Sequence, residues 1–187
     1  MIIRKLLKHI YFVLIWIFGP RGLKCLGKGT LFRKPIRLLG RKYISIGSCC
    51  DIMNGMRMEC VSQWNHQTLI PPPELIIEDY VAIGQNCHFT CARKIVIGEG
   101  TSILPEVLIT DIKHICEKNK SLWDTGIEVG SVTIGKYVQI GMGARIMANG
   151  RDLVIGDNAI IGANSVVTQD VKEGVTVVGI PAREIES

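Results

Sequence analysis

An aliphatic or aromatic residue recurs every six positions along most of this chain of 187 residues, and this spacing constrains the fold more than any other sequence feature. A strict six-residue period predicts a solenoid in which equivalent positions stack into a continuous core. Glycine follows seven of the fifteen repeat positions. The positions form five groups of three: Ile46, Ile52, Met58; Ile77, Ile83, Phe89; Ile97, Ile103, Ile109; Ile134, Ile140, Ile146; Ile155, Ile161 and Val167.

Insertions interrupt the period only after every third hexad. Two of them are long and cover residues 64–76 and 115–133. In a solenoid whose coil contains three hexads, every insertion would leave at the same corner. Insertions on one face of a repeat protein often form its binding face. We therefore expect these two corner loops to share an edge close to the functional site.

Composition favours one β-rich domain. Apolar residues make up 47% of the chain and aromatic residues only 6%, which suits a core of small β-branched side chains. No apolar run reaches the ~18 residues that span a bilayer. The net charge of +5 is too small to indicate a bulk nucleic-acid binder, so no nucleic-acid partner is expected.

The first 43 residues are strongly basic and contain Lys and Arg but no Asp or Glu. Three cations precede the apolar run of residues 10–18, which ends at Gly19-Pro20 and predicts a short, retained amphipathic helix. The run is too short to span a bilayer by itself. We expect segment 1–43 to meet phospholipid headgroups, a lipid-linked diphosphate or a sister subunit. Peripheral membrane association is the leading interpretation, and packing of the helix on the domain is the alternative.

The cysteines predict buried free thiols. Their number is odd and no C-x-x-C pair occurs, so neither a disulfide framework nor a zinc site is expected. Small buried thiols suit a reducing compartment, which indicates a cytoplasmic protein. The seven are Cys25, Cys49, Cys50, Cys60, Cys87, Cys91 and Cys116.

The runs IGKYVQIGMGARI and IGDNAIIGANSVV and the lead-in GRKYISIG of residues 40–47 resemble the hexapeptide-repeat acyltransferase family. The chain is most similar to capsule, exopolysaccharide and O-antigen sugar O-acetyltransferases and to the maltose and galactoside acetyltransferase group. The resemblance covers about residues 44–185. It implies an all-β, left-handed parallel β-helix of about five triangular coils over residues 44–170, a C-terminal extension over 171–187, and a homotrimer with sites between subunits.

The segment LITDIKH, which ends at His114, is similar to the I-T-D-x-x-H signature of this family. The resemblance implies that His114 is the general base that takes a proton from the acceptor hydroxyl as its oxygen attacks a thioester. Asp111, within the same signature, is expected to orient the imidazole or a neighbouring strand.

The C-terminal stretches 161–171 and 179–183 are similar to the coenzyme A end of the family. The resemblance implies acetyl-CoA as acyl donor and no metal. Pantetheine would lie along Gly141, Met142 and Ala163. Thr168 and Arg183 would lie near the nucleotide phosphates, where a guanidinium suits a diphosphate.

The acceptor is expected to be a sugar, a nucleotide-sugar or a lipid-linked glycan. We assign its binding to Asn86, His88 and Thr90 on the second of the five predicted coils, and to Trp64, whose ring can stack on a sugar. The sequence as a whole predicts an acetyl-CoA-dependent O-acetyltransferase of surface polysaccharide biosynthesis.

Three alternatives stay open at this stage. An N-acyltransferase acting on an amino sugar nucleotide would use the same fold and base. A metalloenzyme would draw its ligands from His66, His88 and His114. A non-catalytic glycan-binding scaffold is suggested by Gln139 and Gln169, which depart from the family pattern, although Lys172 can replace the missing charge.

Overall fold

The computed structural model describes residues 21–185, and in this range the chain forms a parallel β-helix. Short strands follow one another around three parallel sheets, and each strand pairs with its equivalent one coil away. The predicted all-β solenoid is therefore confirmed. Within residues 21–185, no helix is long and apolar enough to cross a membrane.

The strands are short and run through the whole described range. The first twelve are β1 Cys25–Leu26, β2 Leu31–Phe32, β3 Arg37–Leu39, β4 Ile44–Ile46, β5 Asp51–Ile52, β6 Arg57–Cys60, β7 Gln63–Trp64, β8 Gln67–Thr68, β9 Glu74–Ile77, β10 Ala82–Ile83, β11 His88–Cys91 and β12 Lys94–Ile97. The others are β13 Ser102–Ile103, β14 Leu108–Thr110, β15 Ile112–His114, β16 Ile127–Val129, β17 Ser131–Ile134, β18 Gln139–Ile140, β19 Arg145–Met147, β20 Asp152–Ile155, β21 Ile160–Ile161, β22 Val166–Val167, β23 Thr176–Val178 and β24 Arg183–Glu184. Two short 3-10 helices occupy Arg41–Tyr43 and Leu122–Asp124.

The three sheets form the three faces of the β-helix. Face one contains β1, β4, β9, β12, β17 and β20; face two contains β2, β5, β10, β13, β18, β21 and β23; face three contains β3, β6, β11, β14, β19 and β22. We call the edge between faces three and one the loop edge, because the long insertions leave there. The edge between faces two and three, which includes residues 141–144 and 162–165, is called the glycine edge.

The repeat positions form the core. All fifteen side chains are 2% exposed or less, and equivalent residues stack in register, as in Ile77, Ile97, Ile134 and Ile155 on face one. Burying one such side chain contributes roughly 1.5–3 kcal/mol. The glycines that follow them allow adjacent coils to approach closely at the edges. At Gly141 an added Cβ would lie 2.4 Å from the backbone nitrogen of Ala163.

The β-helix starts earlier than residue 44, so the predicted N-terminal boundary is corrected. Strands β1, β2 and β3 add a full coil, with Leu26, Phe32 and Leu38 in register with the first repeat positions of the next coil. The six-residue spacing continues through these three residues, and the 3-10 helix after β3 accommodates two extra residues before β4. The described range thus holds six complete coils. The predicted helix of residues 10–18 lies outside the described residues.

Part of the basic charge of this first coil is neutralised by acids of later coils. Lys24 Nζ lies 2.9 Å from Glu74 Oε1, and Arg37 Nε lies 2.6 Å from Glu59 Oε1. Arg33 also forms an ion pair with Asp51. Part of the positive charge of the N-terminal segment is therefore used within the fold, because the first coil stacks on strands that contain acidic residues.

The predicted C-terminal boundary at residue 170 is also corrected. Val171 forms a bridge with Ile155, and β23 pairs in parallel with β21, so a partial seventh coil extends to Val178. Strand β24 then turns back and pairs antiparallel with β23. The antiparallel strand occupies the sheet edge at which another parallel coil would add.

Both long insertions leave at the loop edge, between β6 and β9 (61–73) and between β14 and β17 (111–130). They start three and four residues before the predicted loops. The reason is that the six residues counted from each inward repeat position already include the residues of the corner. Each contains an antiparallel hairpin, β7 with β8 and β15 with β16. We call them the first and second corner loops.

Candidate active site

His114 lies on the second corner loop at the loop edge, with its side chain exposed. It is the last residue of β15, where the hairpin with β16 pairs it with Ile127. Its ring contacts the indole of Trp64, with centroids 5.0 Å apart and planes tilted by 54°. The hairpin and the indole thus hold the imidazole at a solvent-accessible position, as a general base requires.

The two corner loops are joined through Trp64 and Thr125. The indole Nε1 of Trp64 donates to the Thr125 carbonyl oxygen at 2.9 Å, and Asn65 Nδ2 donates to the same oxygen at 2.8 Å. Trp64 also stacks on Trp123 at 5.7 Å, with planes 16° apart. The tight hairpin that presents Trp64 turns at Asn65 and His66, both at positive φ. One side chain of the first loop therefore contacts both His114 and Trp123 of the second.

Asp111 is fully buried and binds backbone rather than His114. Oδ1 accepts from the N–H of Ala92 at 2.7 Å, and Oδ2 accepts from Arg93 at 2.8 Å and from Lys94 at 2.9 Å. Burial raises the pKa of Asp111, and these three donors oppose that rise. Across residues 21–185, no hydrogen bond connects Asp111 with His114. Of the two roles predicted for Asp111, the structure places it in contact with a neighbouring segment and not with the imidazole.

His88 belongs to a polar cluster on face three. Its Nε2 lies 3.1 Å from Glu59 Oε2 and 3.0 Å from Thr90 Oγ1. Glu59 is 8% exposed, and its carboxylate also contacts Arg57 at 2.9 Å as well as Arg37. Burial by itself would raise the pKa of Glu59, but hydrogen bonds from Arg57 and His88 outweigh it and the pKa lies below its usual value. Since an ionised carboxylate only accepts, Nε2 of His88 is the donor to Glu59.

Two of the predicted acceptor residues line one cavity where the glycine edge meets face three. Asn86 and His88 lie there with Leu108 and Arg145. The Arg145 guanidinium donates to the carbonyl oxygens of Glu106 and Gly143, both at 2.7 Å, which fixes it beside the cavity. Thr90 reaches the same region through its hydrogen bond to His88. Trp64, predicted with these three, lies instead at the loop edge against His114.

The predicted donor residues form two groups. Gly141, Met142 and Ala163 lie along the glycine edge, where the side chain of Met142 is 50% exposed. Thr168 and Arg183 line a pocket at the C-terminal end of the β-helix, together with Gln169 and Lys172. The end pocket thus combines these two cationic side chains with two acidic ones, Asp170 and Glu184.

His114 and the glycine-edge residues lie on different edges of the β-helix. Face three separates the loop edge from the glycine edge, and the cavity beside His88 lies where face three meets the glycine edge. Within one chain the structure therefore does not bring His114 together with Gly141, Met142 and Ala163.

Comparison with curated proteins finds a sequence relative. No protein-family model matches the chain. Nodulation protein L of Rhizobium meliloti (strain 1021) is 43% identical over 99 residues, which is 52% of this chain and 51% of that protein. The chain spans about half the length of this curated relative.

Solved structures share the architecture over most of the chain. AntD, an N-acyltransferase from Bacillus cereus in complex with dTDP and 3-hydroxybutyryl-CoA, superposes with a TM-score of 0.67 at 19% identity, covering 89% of this chain and 84% of AntD. The chain has the fold of the hexapeptide-repeat acyltransferases. A hexapeptide-repeat acetyltransferase of Vibrio cholerae O1 biovar eltor, complexed with acetyl coenzyme A, superposes with a TM-score of 0.54 at 24% identity, covering 88% of this chain and 71% of that one. The predicted left-handed parallel β-helix is confirmed.

Sequence reasoning missed four residues of the candidate site. Glu59 and Arg145 occupy outward-facing strand positions, where charged residues are common. The sequence therefore does not indicate that they belong to a site. Trp123 and Thr125 lie in an insertion without periodicity. The only available signal was that each long insertion contains one of the chain's three tryptophans. In residues 21–185, no three His, Cys, Asp or Glu side chains converge on a point where a metal ion could bind.

Proposed function

We propose that the protein is an acetyl-CoA-dependent O-acetyltransferase that modifies a sugar hydroxyl in surface polysaccharide biosynthesis. The observation that carries this proposal is the exposed imidazole of His114, presented by the ITDIKH segment at the loop edge of a hexapeptide-repeat β-helix. The sequence relationship to nodulation protein L and the fold shared with acyltransferases support the reaction class.

In the proposed reaction, His114 removes the proton of the acceptor hydroxyl while its oxygen attacks the thioester carbonyl of acetyl-CoA. Backbone N–H groups at a subunit boundary stabilise the resulting oxyanion. The intermediate collapses with cleavage of the C–S bond, and the imidazolium returns its proton to the departing thiolate. The products are the sugar acetyl ester and free coenzyme A. A positioned base of this kind contributes typically ~10²–10⁴ in rate.

We propose that the nucleotide phosphates of the donor bind in the C-terminal end pocket. Lys172 and Arg183 line it together with Thr168, and a guanidinium and an ammonium complement a diphosphate. The pantetheine arm would run along Gly141, Met142 and Ala163 at the glycine edge. Lys172 would supply the charge that Gln169 lacks.

We further propose a homotrimer with composite sites. The base lies at the loop edge, whereas the pantetheine residues lie at the glycine edge of the same chain. A neighbouring subunit packed along face three would bring one subunit's loop edge to the other's glycine edge. Sedimentation of purified protein as a monomer at assay concentration would contradict this arrangement.

The acceptor proposed for this site is a sugar, a nucleotide-sugar or a lipid-linked glycan, contacted by Asn86, His88 and Thr90. The imidazole of His88 can form a hydrogen bond with a sugar hydroxyl through Nδ1. AntD is described in complex with dTDP, and it is an N-acyltransferase, so amino sugar nucleotides belong in the acceptor panel beside neutral sugars. Ester or amide products, separated by their stability to mild base, distinguish the two reactions.

We propose a cytoplasmic protein held at the inner membrane face by its basic N-terminal segment. Support comes from the cations that precede the apolar run of residues 10–18, outside the described range. Because Lys24, Arg33 and Arg37 pair within the fold, the charge for lipid binding must come mainly from the other basic residues. Deleting residues 1–20 should abolish partition into anionic vesicles, and unchanged partition would refute the proposal.

Thermal unfolding with and without acetyl-CoA tests the donor. Saturation at 100 times the dissociation constant should stabilise the protein by about 2.7 kcal/mol. Turnover of a sugar panel by wild type and His114→Ala then tests the base. The variant should lose most turnover while retaining the shift with acetyl-CoA. Full turnover by His114→Ala would remove the role proposed for this residue, and the absence of any shift would favour the glycan-binding scaffold.

A further inference from the structure

Trp123 presents an ordered aromatic surface to solvent. It is 72% exposed, although it lies in the 3-10 helix Leu122–Asp124. The backbone N–H of Trp123 donates to Ser121 Oγ at 3.3 Å, and Thr125 Oγ1 donates to the Leu122 carbonyl oxygen at 3.1 Å. Trp64 stacks on one side of the Trp123 ring. The ring is therefore held in place before any ligand arrives, which lowers the entropic cost of binding.

This surface is continuous with the candidate active site. Trp64 contacts the rings of both His114 and Trp123, at 5.0 and 5.7 Å between centroids. Trp123 therefore lies within about 11 Å of the imidazole. Trp64 itself is half-buried, and its N–H is used by Thr125, so Trp123 is the ring that offers a free face. Two sugar rings joined by a glycosidic bond span a comparable distance.

The charge around Trp123 favours a neutral ligand. Two ion pairs neutralise four charged side chains of the second corner loop, Lys113 with Glu128 at 2.8 Å and Lys120 with Glu117 at 2.5 Å. The two other exposed charges of this loop have opposite signs, Lys118 and Asp124. A phosphate group or an anionic lipid surface would find no excess of cations there. The apolar C–H face of a sugar ring fits an indole without needing charge.

We propose that Trp123 forms a second sugar subsite, so that the acceptor contains at least two linked sugar rings. One ring presents its hydroxyl to His114, and the next ring stacks on the exposed face of Trp123. Trp64 is a positioning residue that holds Trp123 and the imidazole in a fixed relation. This proposal rests on the proposed function, because it assigns the acceptor's second ring to a site beside the proposed base.

Acceptor length tests the proposal. Acetyl transfer is measured on cello-, malto- and N-acetylchito-oligosaccharides of one to four units, with wild type, Trp123→Ala, Trp123→Phe and the control Tyr80→Ala, which removes an aromatic ring that is 61% exposed on another edge. Wild type should prefer two or more units by about tenfold in kcat/KM. Trp123→Ala should abolish most of that preference, whereas Trp123→Phe should retain part of it and Tyr80→Ala all of it.

Binding measured without turnover separates this proposal from the proposed function. Quenching of tryptophan fluorescence by the same oligosaccharides should increase with length in wild type and in His114→Ala, and not in Trp123→Ala. Length-dependent binding without acetyl transfer would refute the proposed function and keep the subsite. Equal kcat/KM for one and several units, an equal loss on all lengths in Trp123→Ala, or no binding of any member would overturn the subsite.

Discussion

Replacing Asp111 by asparagine should lower the stability of the protein by weakening the contact between the second corner loop and the β-helix. We expect no direct effect on the reaction. Both carboxylate oxygens of Asp111 are used, since Oδ1 accepts from Ala92 and Oδ2 from Arg93 and Lys94. An asparagine has one oxygen, so at least one backbone N–H must face its NH2 group. The variant is therefore isosteric but leaves a donor opposed to a donor at a site with 0% exposure.

The magnitude follows from these three contacts. Hydrogen bonds to a charged acceptor contribute roughly 1.5–3 kcal/mol each, neutral ones about 1, and an unsatisfied buried donor costs about 1–3 kcal/mol. Relief of the buried charge offsets part of the loss, because burial already raises the pKa of Asp111. We expect Asp111→Asn to lower the free energy of unfolding by about 3 kcal/mol and Tm by roughly 6–12 °C.

Urea and thermal unfolding at neutral pH measure this loss. Asp79→Asn is the matched control, because Asp79 is exposed and its Oδ1 accepts a single hydrogen bond from Ser48 at 2.7 Å. An asparagine can keep that bond, so the control should change stability by less than about 1 kcal/mol. An Asp111→Asn protein of wild-type stability that has lost activity would refute the reasoning and return Asp111 to a chemical role.

Three further predictions concern charge and thiol reactivity. The pKa of Glu59 is lowered in the fold, so its stabilising contribution is present above its usual value of 4.5 and is lost as pH falls through the lowered value; urea unfolding against pH should show a smaller acid-induced loss for Glu59→Gln, and identical profiles would contradict this. Arg183→Ala should weaken acetyl-CoA binding about tenfold and reduce the thermal shift, while an unchanged shift would exclude Arg183 from the donor site. Burial raises the pKa of Cys87 to about 11, so iodoacetamide at pH 8 should leave it unlabelled in native protein, and mass spectrometry should find adducts on the exposed thiols only, Cys25, Cys49 and Cys116.

Most of the fold was predicted from the six-residue repeat, but the predicted ends of the β-helix were wrong for physical reasons. Leu26, Phe32 and Leu38 obey the six-residue spacing, yet the surrounding cations suggested a separate segment. Some of those cations form ion pairs with acidic residues of later coils. Composition alone does not indicate such pairs. At the other end, Val171 and Val177 belong to a seventh, partial coil whose turn lacks the Ile-Gly signature.

The candidate site was predictable only where a residue's role depends on local sequence. The prediction of His114 rests on a signature that lies within one coil and the adjoining loop. The contact of Asp111 with residues 92–94 depends on which segment stacks beneath it, and both predicted orientations were compatible with the sequence. The partnership of His88 with Glu59 joins residues 29 positions apart, and the period alone did not indicate which outward side chains would be neighbours.

The sequence by itself determined a solenoid of hexads grouped in threes, because the six-residue period identifies the buried side chains and the insertions come only after every third hexad. It also determined that His114 lies at the start of the longest loop. Only the tertiary structure decided that Trp64 of the first corner loop contacts His114 and Trp123. It also decided that Asp111 accepts hydrogen bonds from backbone N–H groups. These contacts join irregular segments, in which no period relates one residue to the next, so their geometry emerges only when the coils stack and bring both loops to one edge.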